Sequence, residues 1–418
     1  MDSVRLDEGL IRTTAPNGLT ILTEVLPSVR SCAVGLWVRT ASAHEPRPSM
    51  GAAHLLEHLV FKGTERRSAK AIAHELEARG GSLDAYTGRD HTNFQAHILD
   101  ADLPAAVDVL SDLVRRPLLR ESDLQLERKV VLEEIGMVED TPDDLVFDLH
   151  AETLYPEHPY GYSILGTRDS VGALETSTLQ EFHRAGYYPG NIVVAAAGRL
   201  DHDQVLGLLE REGWFDSHAA AEAKAAVTPA PARHGVDRRI PREGNQVHVV
   251  IGTDTFPGRD RRRVAMALLV NALGGGMSSR LFQKVREELG LAYAVYSFQQ
   301  GFQSSGVTGT YVATAPATAD KAVEAIMEEF MTVAKEGLPL EELEAQKRQL
   351  KGQIMLGLES PVSRMARLAG HALSGEKYRT LDELLAEVDA VTAADLGALA
   401  AEYFAPERQT MVRLGPEA

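Results

Sequence analysis

The sequence has little that would cross-link it, anchor it in a membrane or give it a positive face. One cysteine, Cys32, stands among 418 residues. No disulfide framework can form within the chain, so a reducing compartment is expected. No run approaches the ~18 apolar residues of a spanning helix. The start, MDSVRLDEGLIRTT, lacks an apolar signal core and an Arg-rich, acid-poor transit character. A cytoplasmic protein with no membrane partner is therefore expected. The 43 Lys and Arg are outnumbered by 60 Asp and Glu, for a net charge of −17. That argues against nucleic acid as a partner, because phosphates need a basic face. What remains is a soluble composition, 44% hydrophobic and 25% charged, long enough for two or three domains with cores of their own.

The chain divides near its middle. Residues 217–243, SHAAAEAKAAVTPAPARHGVDRRIPRE, are rich in Ala, Pro and charge and read as a linker. The flanking halves repeat each other. TSTLQEFHRAGYYPGNIVVAAAG (176–198) matches TAADLGALAAEYFAPERQTMVRLG (392–415) at an offset of 217. DLQLERKVVLEEI (123–135) matches ELEAQKRQLKGQI (342–354) at 219, and EARGGSLDAYT (77–87) matches EELGLAYAVYS (287–297) at 210. Strands such as LTILTEVL, CAVGLWVRT and NQVHVVIGTDT open each half, and helical patterns follow. The partial segregation of strands and helices predicts α+β domains, with helices packed on a mostly antiparallel or mixed sheet. The expected domains are 1–216 and 244–418, two homologues joined by 217–243.

The chemistry concentrates in GAAHLLEHLVFKGTE, residues 51–65. Leu55 and Leu59 set a helical period. On a helix, His54 and His58 share a face, so both imidazoles can point at one ion. Two neutral imidazoles suit zinc; a catalytic zinc needs a third protein ligand and keeps one position open. Glu57 lies on the edge of that face. A structural zinc site is not expected, because such sites are closed and usually thiolate-rich. The third ligand is sought in LQLERKVVLEEIGMVED, 124–140, where Glu127 and Glu134 share one helical face and Glu133 points about 100° away. Spacing leaves both Glu133 and Glu134 open. GGGMSS (274–279) lacks the Gly-Lys-Ser/Thr ending of a nucleotide loop and reads as a turn.

His-x-x-Glu-His is the inverse of the commoner zincin order. HLLEHLVFKGT followed by ERKVVLEEI resembles the pitrilysin-type (M16, inverzincin) metallopeptidases, which include insulin-degrading enzyme, the mitochondrial processing peptidase and bacterial processing-like peptidases. HPYGYSILGT (158–167), LGGGMSSRLFQKVREELGLAYAVYSF (273–298) and the Tyr–Pro–Asn segment at 188–191 also look like family blocks, so the resemblance covers nearly the whole chain. It implies His54, His58 and Glu134 as ligands of one zinc per chain. It makes Glu57 the general base and Glu127 a supporting acid. Arg286 and Tyr293 would contact substrate and assist catalysis, the tyrosine as a donor to the reacting oxygen. DHTNFQAHI (90–98) would be the edge strand that receives the peptide, flanked by Asn93 and Phe94.

The second half reads Gln346 and Gln353 at the positions of Glu127 and Glu134, and Val270–Asn271 where the first half has Glu57–His58. Neutral amides make poor anionic ligands, so the second domain is expected to bind and enclose substrate without catalysing. The family implication is a bowl-like half of a clamshell, completed by a second chain as a homodimer or by a homologous partner subunit. A zinc endopeptidase of short peptides is the leading expectation, and a non-catalytic subunit of such an assembly the alternative.

Overall fold

The computed structural model describes residues 1–216, 227–229 and 231–416. Its strands are β1 (Asp2–Asp7), β2 (Leu10–Thr14), β3 (Thr20–Val25), β4 (Ser31–Val38), β5 (Ser82–Thr87), β6 (Thr92–Leu99), β7 (Ile192–Gly198), β8 (Asp237–Pro241), β9 (Val247–Thr255), β10 (Ala292–Gly301), β11 (Gly306–Thr314) and β12 (Thr410–Gly415). The helices of the first half are α1 (Ala52–Val60), α2 (Ala69–Glu77), α3 (Leu103–Arg115), α4 (Glu121–Asp140), α5 (Pro142–Leu154), α6 (Arg168–Ala173), α7 (Thr176–Gly186) and α8 (His202–Arg211). Those of the second are α9 (Arg263–Gly274), α10 (Ala319–Glu336), α11 (Leu340–Gly357), α12 (Pro361–Ser374), α13 (Leu381–Ala390) and α14 (Ala393–Tyr403). Among the described residues no helix is long and apolar enough to cross a membrane.

The strands form two sheets of mixed sense. One has the order β1-β2-β3-β7-β4-β6-β5 and the other β10-β11-β9-β12-β8. Read from the opposite edge, the second repeats the last five strands of the first. Each contains one parallel pair, β3 with β7 and β8 with β12, and is otherwise antiparallel. The fold is thus α+β with an internal repeat, as the matched segments suggested.

Of the stretch 217–243, residues 217–226 and 230 lie outside the described residues. Its end is not linker: β8 pairs with β12 from Asp237 to Pro241. Its charged sequence, DRRIP, reflects its place at a sheet edge, where alternate side chains meet water.

The chain packs as two compact units that do not coincide with continuous halves. Unit 1 comprises Met1–Ile135, Ser163–Ala226 and Leu356–Tyr378; unit 2 comprises Gly136–Tyr162, Val227–Met355 and Arg379–Ala418. The reason is an exchange of helices. β7, IVVAAAG, is buried along its whole length, so both faces of its sheet need cover. One face carries the main core, with Val34, Leu36, Phe94 and Val194 against α1 and α3 residues such as Leu55, Leu59 and Leu110. The other face, through Leu10, Leu22, Ala33, Trp37 and Val193, is covered by Met365, Leu368 and Ala369 of α12, a helix of the second half. Arg39 fastens α12 by donating to the carbonyls of Ala372 and Leu373 at 2.7 and 2.8 Å, at the negative end of the helix. In return α5, from the first half, lays Val146 on Val250, Tyr311, Val412 and Leu414 of the second sheet. His150 of α5 is bonded there to the Thr410 carbonyl at 3.1 Å.

The expectation that 90–98 forms an edge fails. β6 is paired on both sides, with β4 and with β5, and the free edge belongs to β5. Asn93 and Phe94 are fully buried. Phe94 packs with Phe61 and Tyr187, and Asn93 sits opposite Trp37 in the ladder. Neither can flank a peptide on the surface.

If α12 is integral to unit 1, Leu368→Ala should cost ~2–5 kcal/mol of stability, the range for truncating a buried leucine. Denaturant unfolding would measure it; a loss under ~1 kcal/mol would mean that the exchanged helix is a loosely held cover.

Candidate metal centre

The site is built on α1. Its apolar residues Leu55, Leu56, Leu59 and Val60 are buried in the core, which leaves His54, Glu57 and His58 on the opposite, half-exposed face. The helix begins at Gly51, whose φ of +89° is a left-handed conformation that suits glycine. A side chain there would also collide, since a Cβ would stand 2.5 Å from the Leu165 carbonyl oxygen. Gly51 cannot cap with a side chain, and Glu45 does so instead. Its carboxylate accepts the Gly51 N–H at 2.8 Å and the Ala53 N–H at 2.6 Å. These are donors that a helix start otherwise leaves unsatisfied.

α4 brings the carboxylates. Leu124, Val131 and Ile135 bury one face, and Glu127 is buried with them. Glu134 is half-buried and Glu133 exposed. One ligand atom each from His54, His58 and Glu134 lies within 4.8 Å of the others. Both Nε2 atoms stand 3.7 Å from Glu134 Oε2, too far for hydrogen bonds and close enough to share an ion. The imidazole centroids are 4.7 Å apart.

The protonation states suit a cation. Burial, helped by neighbouring His58, pushes the His54 pKa down to about 4, so its ring is neutral at pH 7 and keeps a lone pair. His58 contacts Glu127 Oε2 through Nδ1 at 3.2 Å. Because the carboxylate only accepts, Nδ1 is the donor here, and Nε2 is the ring nitrogen turned toward Glu134. The Lys62 ammonium lies 2.7 Å from the other Glu127 oxygen and balances its charge. The His54 Nδ1, by contrast, is buried without a hydrogen-bond partner among the described residues. Glu57 sits beside the cluster, where Thr87 donates a 2.5 Å hydrogen bond to its Oε2. Burial raises the Glu57 pKa, opposed by that hydrogen bond and by His58 and reinforced by Glu134. Two nitrogens and one carboxylate oxygen fit a zinc ion with room for a further ligand.

Sequence reasoning missed Glu45, Lys62 and Thr87. Lys62 was within reach, because it follows His58 by four residues and so lies toward the same side. Glu45 and Thr87 carried no signal, since each acts through an approach made only in the folded chain.

Arg286 and Tyr293 occur together in unit 2. Arg286, in a π-helical stretch Phe282–Glu288, donates to the Tyr293 carbonyl at 3.1 Å. Its guanidinium stacks on the rings of Phe282 and Tyr293 at 4.7 and 4.5 Å. Tyr293 is 77% exposed and lies on β10, an edge strand. Elsewhere in unit 2, the Asn271 amide of α9 donates to Gln346 of α11. These residues match His58 and Glu127 in the repeat, so a neutral pair occupies the place of the charged one. Among the described residues, His54, His58 and Glu134 are the group placed to hold a metal.

A His-x-x-Glu-His helix with a glutamate from a second helix, on a repeated α+β scaffold, defines a class of metallopeptidase. The profile described as "Insulinase (Peptidase family M16)" matches residues 20–168, and "Peptidase M16 inactive domain" matches 174–350. The chain belongs to peptidase family M16. It is 40% identical to an "uncharacterized zinc protease" of Streptomyces coelicolor, over 97% of this chain and 89% of that protein. It is 37% identical to the similarly named YmxG of Bacillus subtilis, over 94% and 95%. Two solved structures share the fold. A protease from Helicobacter pylori has a TM-score of 0.91 at 24% identity, covering 97% and 99% of the two chains. A peptidase M16 inactive domain from Pseudomonas fluorescens has a TM-score of 0.90 at 20% identity, covering 98% of each.

Glu45→Ala should leave two buried N–H groups without acceptors and cost ~1–3 kcal/mol. Thermal melting would register it, and an unchanged transition would remove the capping role.

Proposed function

We propose that this chain is a zinc-dependent endopeptidase of short or unfolded peptides, with His54, His58 and Glu134 as the ligands of one zinc per chain. The convergence of those three groups beside Glu57 is the observation that carries the reading. When bound, zinc supplies Lewis-acid chemistry for the carbonyl under attack and for water.

The remaining work falls to the chain. Glu57 accepts a proton from the attacking water as the oxygen bonds to the carbonyl carbon. It hands that proton to the amide nitrogen as the C–N bond breaks. Burial raises its pKa, which favours proton uptake by this carboxylate. Glu127 fixes the His58 ring, and Lys62 keeps Glu127 in place.

The peptide is proposed to add to β5, an edge strand of the first sheet. Backbone pairing there gives affinity with little sequence preference. β5 also lies against α1, which carries the base. Arg286 and Tyr293 are proposed to bind substrate, through a guanidinium for peptide carbonyls and an exposed phenol as a donor. A second copy of the chain is proposed to close the chamber, in the cytoplasm.

Metal analysis should find about one zinc per chain, and a quenched fluorescent peptide should be cleaved until a chelator is added. Glu57→Gln should keep the metal and lose at least about a hundredfold in kcat, the lower range for a general base. Cleavage by that variant at the native rate would reject the mechanism. Sedimentation should give a dimer; a fully active monomer would remove the closed chamber from the proposal.

A further inference from the structure

We infer that Thr87 is the positioning residue of the general base, holding one oxygen of Glu57 so that the other faces the water. The inference rests on the peptidase reading above.

Thr87 is the last residue of β5, and its Oγ1 donates to Glu57 Oε2 at 2.5 Å. That length is typical of a hydroxyl on a carboxylate and about twice as strong as a neutral hydrogen bond. A glutamate has three side-chain torsions. Without a tether, its carboxylate would spread over several rotamers beside the ligand cluster. With Oε2 engaged, the carboxylate plane is set and Oε1 is left to accept a proton.

The tether is useful because both of its ends are fixed to one segment. On the Thr87 side, the turn after β5 closes through the Gly88 N–H to the His91 carbonyl at 2.9 Å. The Ser42 hydroxyl donates to the Gly88 carbonyl at 3.0 Å, and the Ala43 N–H to the Arg89 carbonyl at 2.9 Å. On the Glu57 side, Glu45 holds the first turn of α1 through Gly51 and Ala53. Ala41, Ser42, Ala43 and Glu45 are all buried. One buried segment thus sets the spacing between the strand end that donates and the helix that carries the base. The strand that aims Glu57 is also an edge strand, so a peptide added to that edge lies on the element that fixes the base.

Thr87→Val keeps the side-chain shape and removes the donor, while Thr87→Ser keeps the donor. Each would be compared with the wild type for melting temperature, zinc content, kcat and KM on a quenched fluorescent peptide. A crystal structure of metal-free Thr87→Val would show where Glu57 goes. Thr87→Val should fold and load zinc normally. Its kcat should fall by about tenfold to a hundredfold, the scale of a misplaced catalytic group. KM should stay within about twofold, because binding contacts are untouched. Thr87→Ser should recover to within about threefold of wild type if the hydroxyl is what matters. Glu57 should change rotamer in the valine variant. If Thr87→Val does not fold, Thr87→Ala takes its place with the same expectations.

A native kcat in the valine variant overturns the inference. So does a serine variant as impaired as the valine one, or a slow valine variant whose Glu57 has not moved. A wild type that cleaves no peptide overturns the peptidase reading and this inference together. A cleaving wild type with an equally fast valine variant overturns only this inference.

Discussion

The folded chain must hold two imidazoles and a carboxylate with ligand atoms within 4.8 Å of one another, on a half-exposed face. Such grouping is costly, because burial withdraws water from groups that then lack protein partners. The cost shows in His54, whose Nδ1 has no partner among the described residues and whose ring is held neutral by burial. The fold offsets it by making the two supporting helices rigid. α1 is seated by four apolar side chains and clamped at its start by Glu45. α4 is seated by Leu124, Val131 and Ile135. The support is uneven: His58 is aligned by Glu127 and Lys62, whereas His54 relies on packing.

The second unit is built on the same scaffold and carries none of that strain. Asn271 and Gln346 keep a hydrogen bond between the corresponding helices, with no ion to desolvate and no proton to place. A neutral amide pair satisfies its own donor and acceptor, whereas a histidine–glutamate pair leaves a ring nitrogen free for a ligand. The same helix pair is therefore a closed contact in one unit and an open set of donors in the other. This chemical difference explains why a two-fold internal repeat supplies one candidate metal centre among the described residues.

The sequence revealed features whose physical cause is local or repeated. Histidines four apart define a helix face, so His54 and His58 could be paired from spacing. The repeat surfaced because Gly198 and Gly415 end equivalent strands, and those strands occupy equivalent sheet positions. Long-range choices were illegible. Nothing in the alternation of DHTNFQAHI tells an inner strand from an edge, because both edges of β6 are paired only when β4 and β5 assemble. β8 was hidden because an edge strand can be charged. α5 and α12 each open on a proline, Pro142 and Pro361. An amphipathic helix specifies that it needs an apolar surface and not which sheet supplies it.

The exchange of those two helices bears on the metal centre. α4 contributes Glu127 and Glu134 to unit 1, and from Gly136 onward its residues already belong to unit 2. Pro142 then starts α5, whose Val146 is locked into the core of the second sheet. Glu134 lies next to Ile135, the last buried residue of α4 in the core of unit 1. Fraying at the C-terminal end of α4, the usual weak point of a helix, is resisted by the packing of α5 just beyond it. A third ligand on a helix seated by Leu124, Val131 and Ile135 loses little further freedom on meeting an ion. The exchange thus touches the site through chain order alone: α5, lent to the second sheet, directly follows the helix that carries the one carboxylate that the helix of histidines cannot supply.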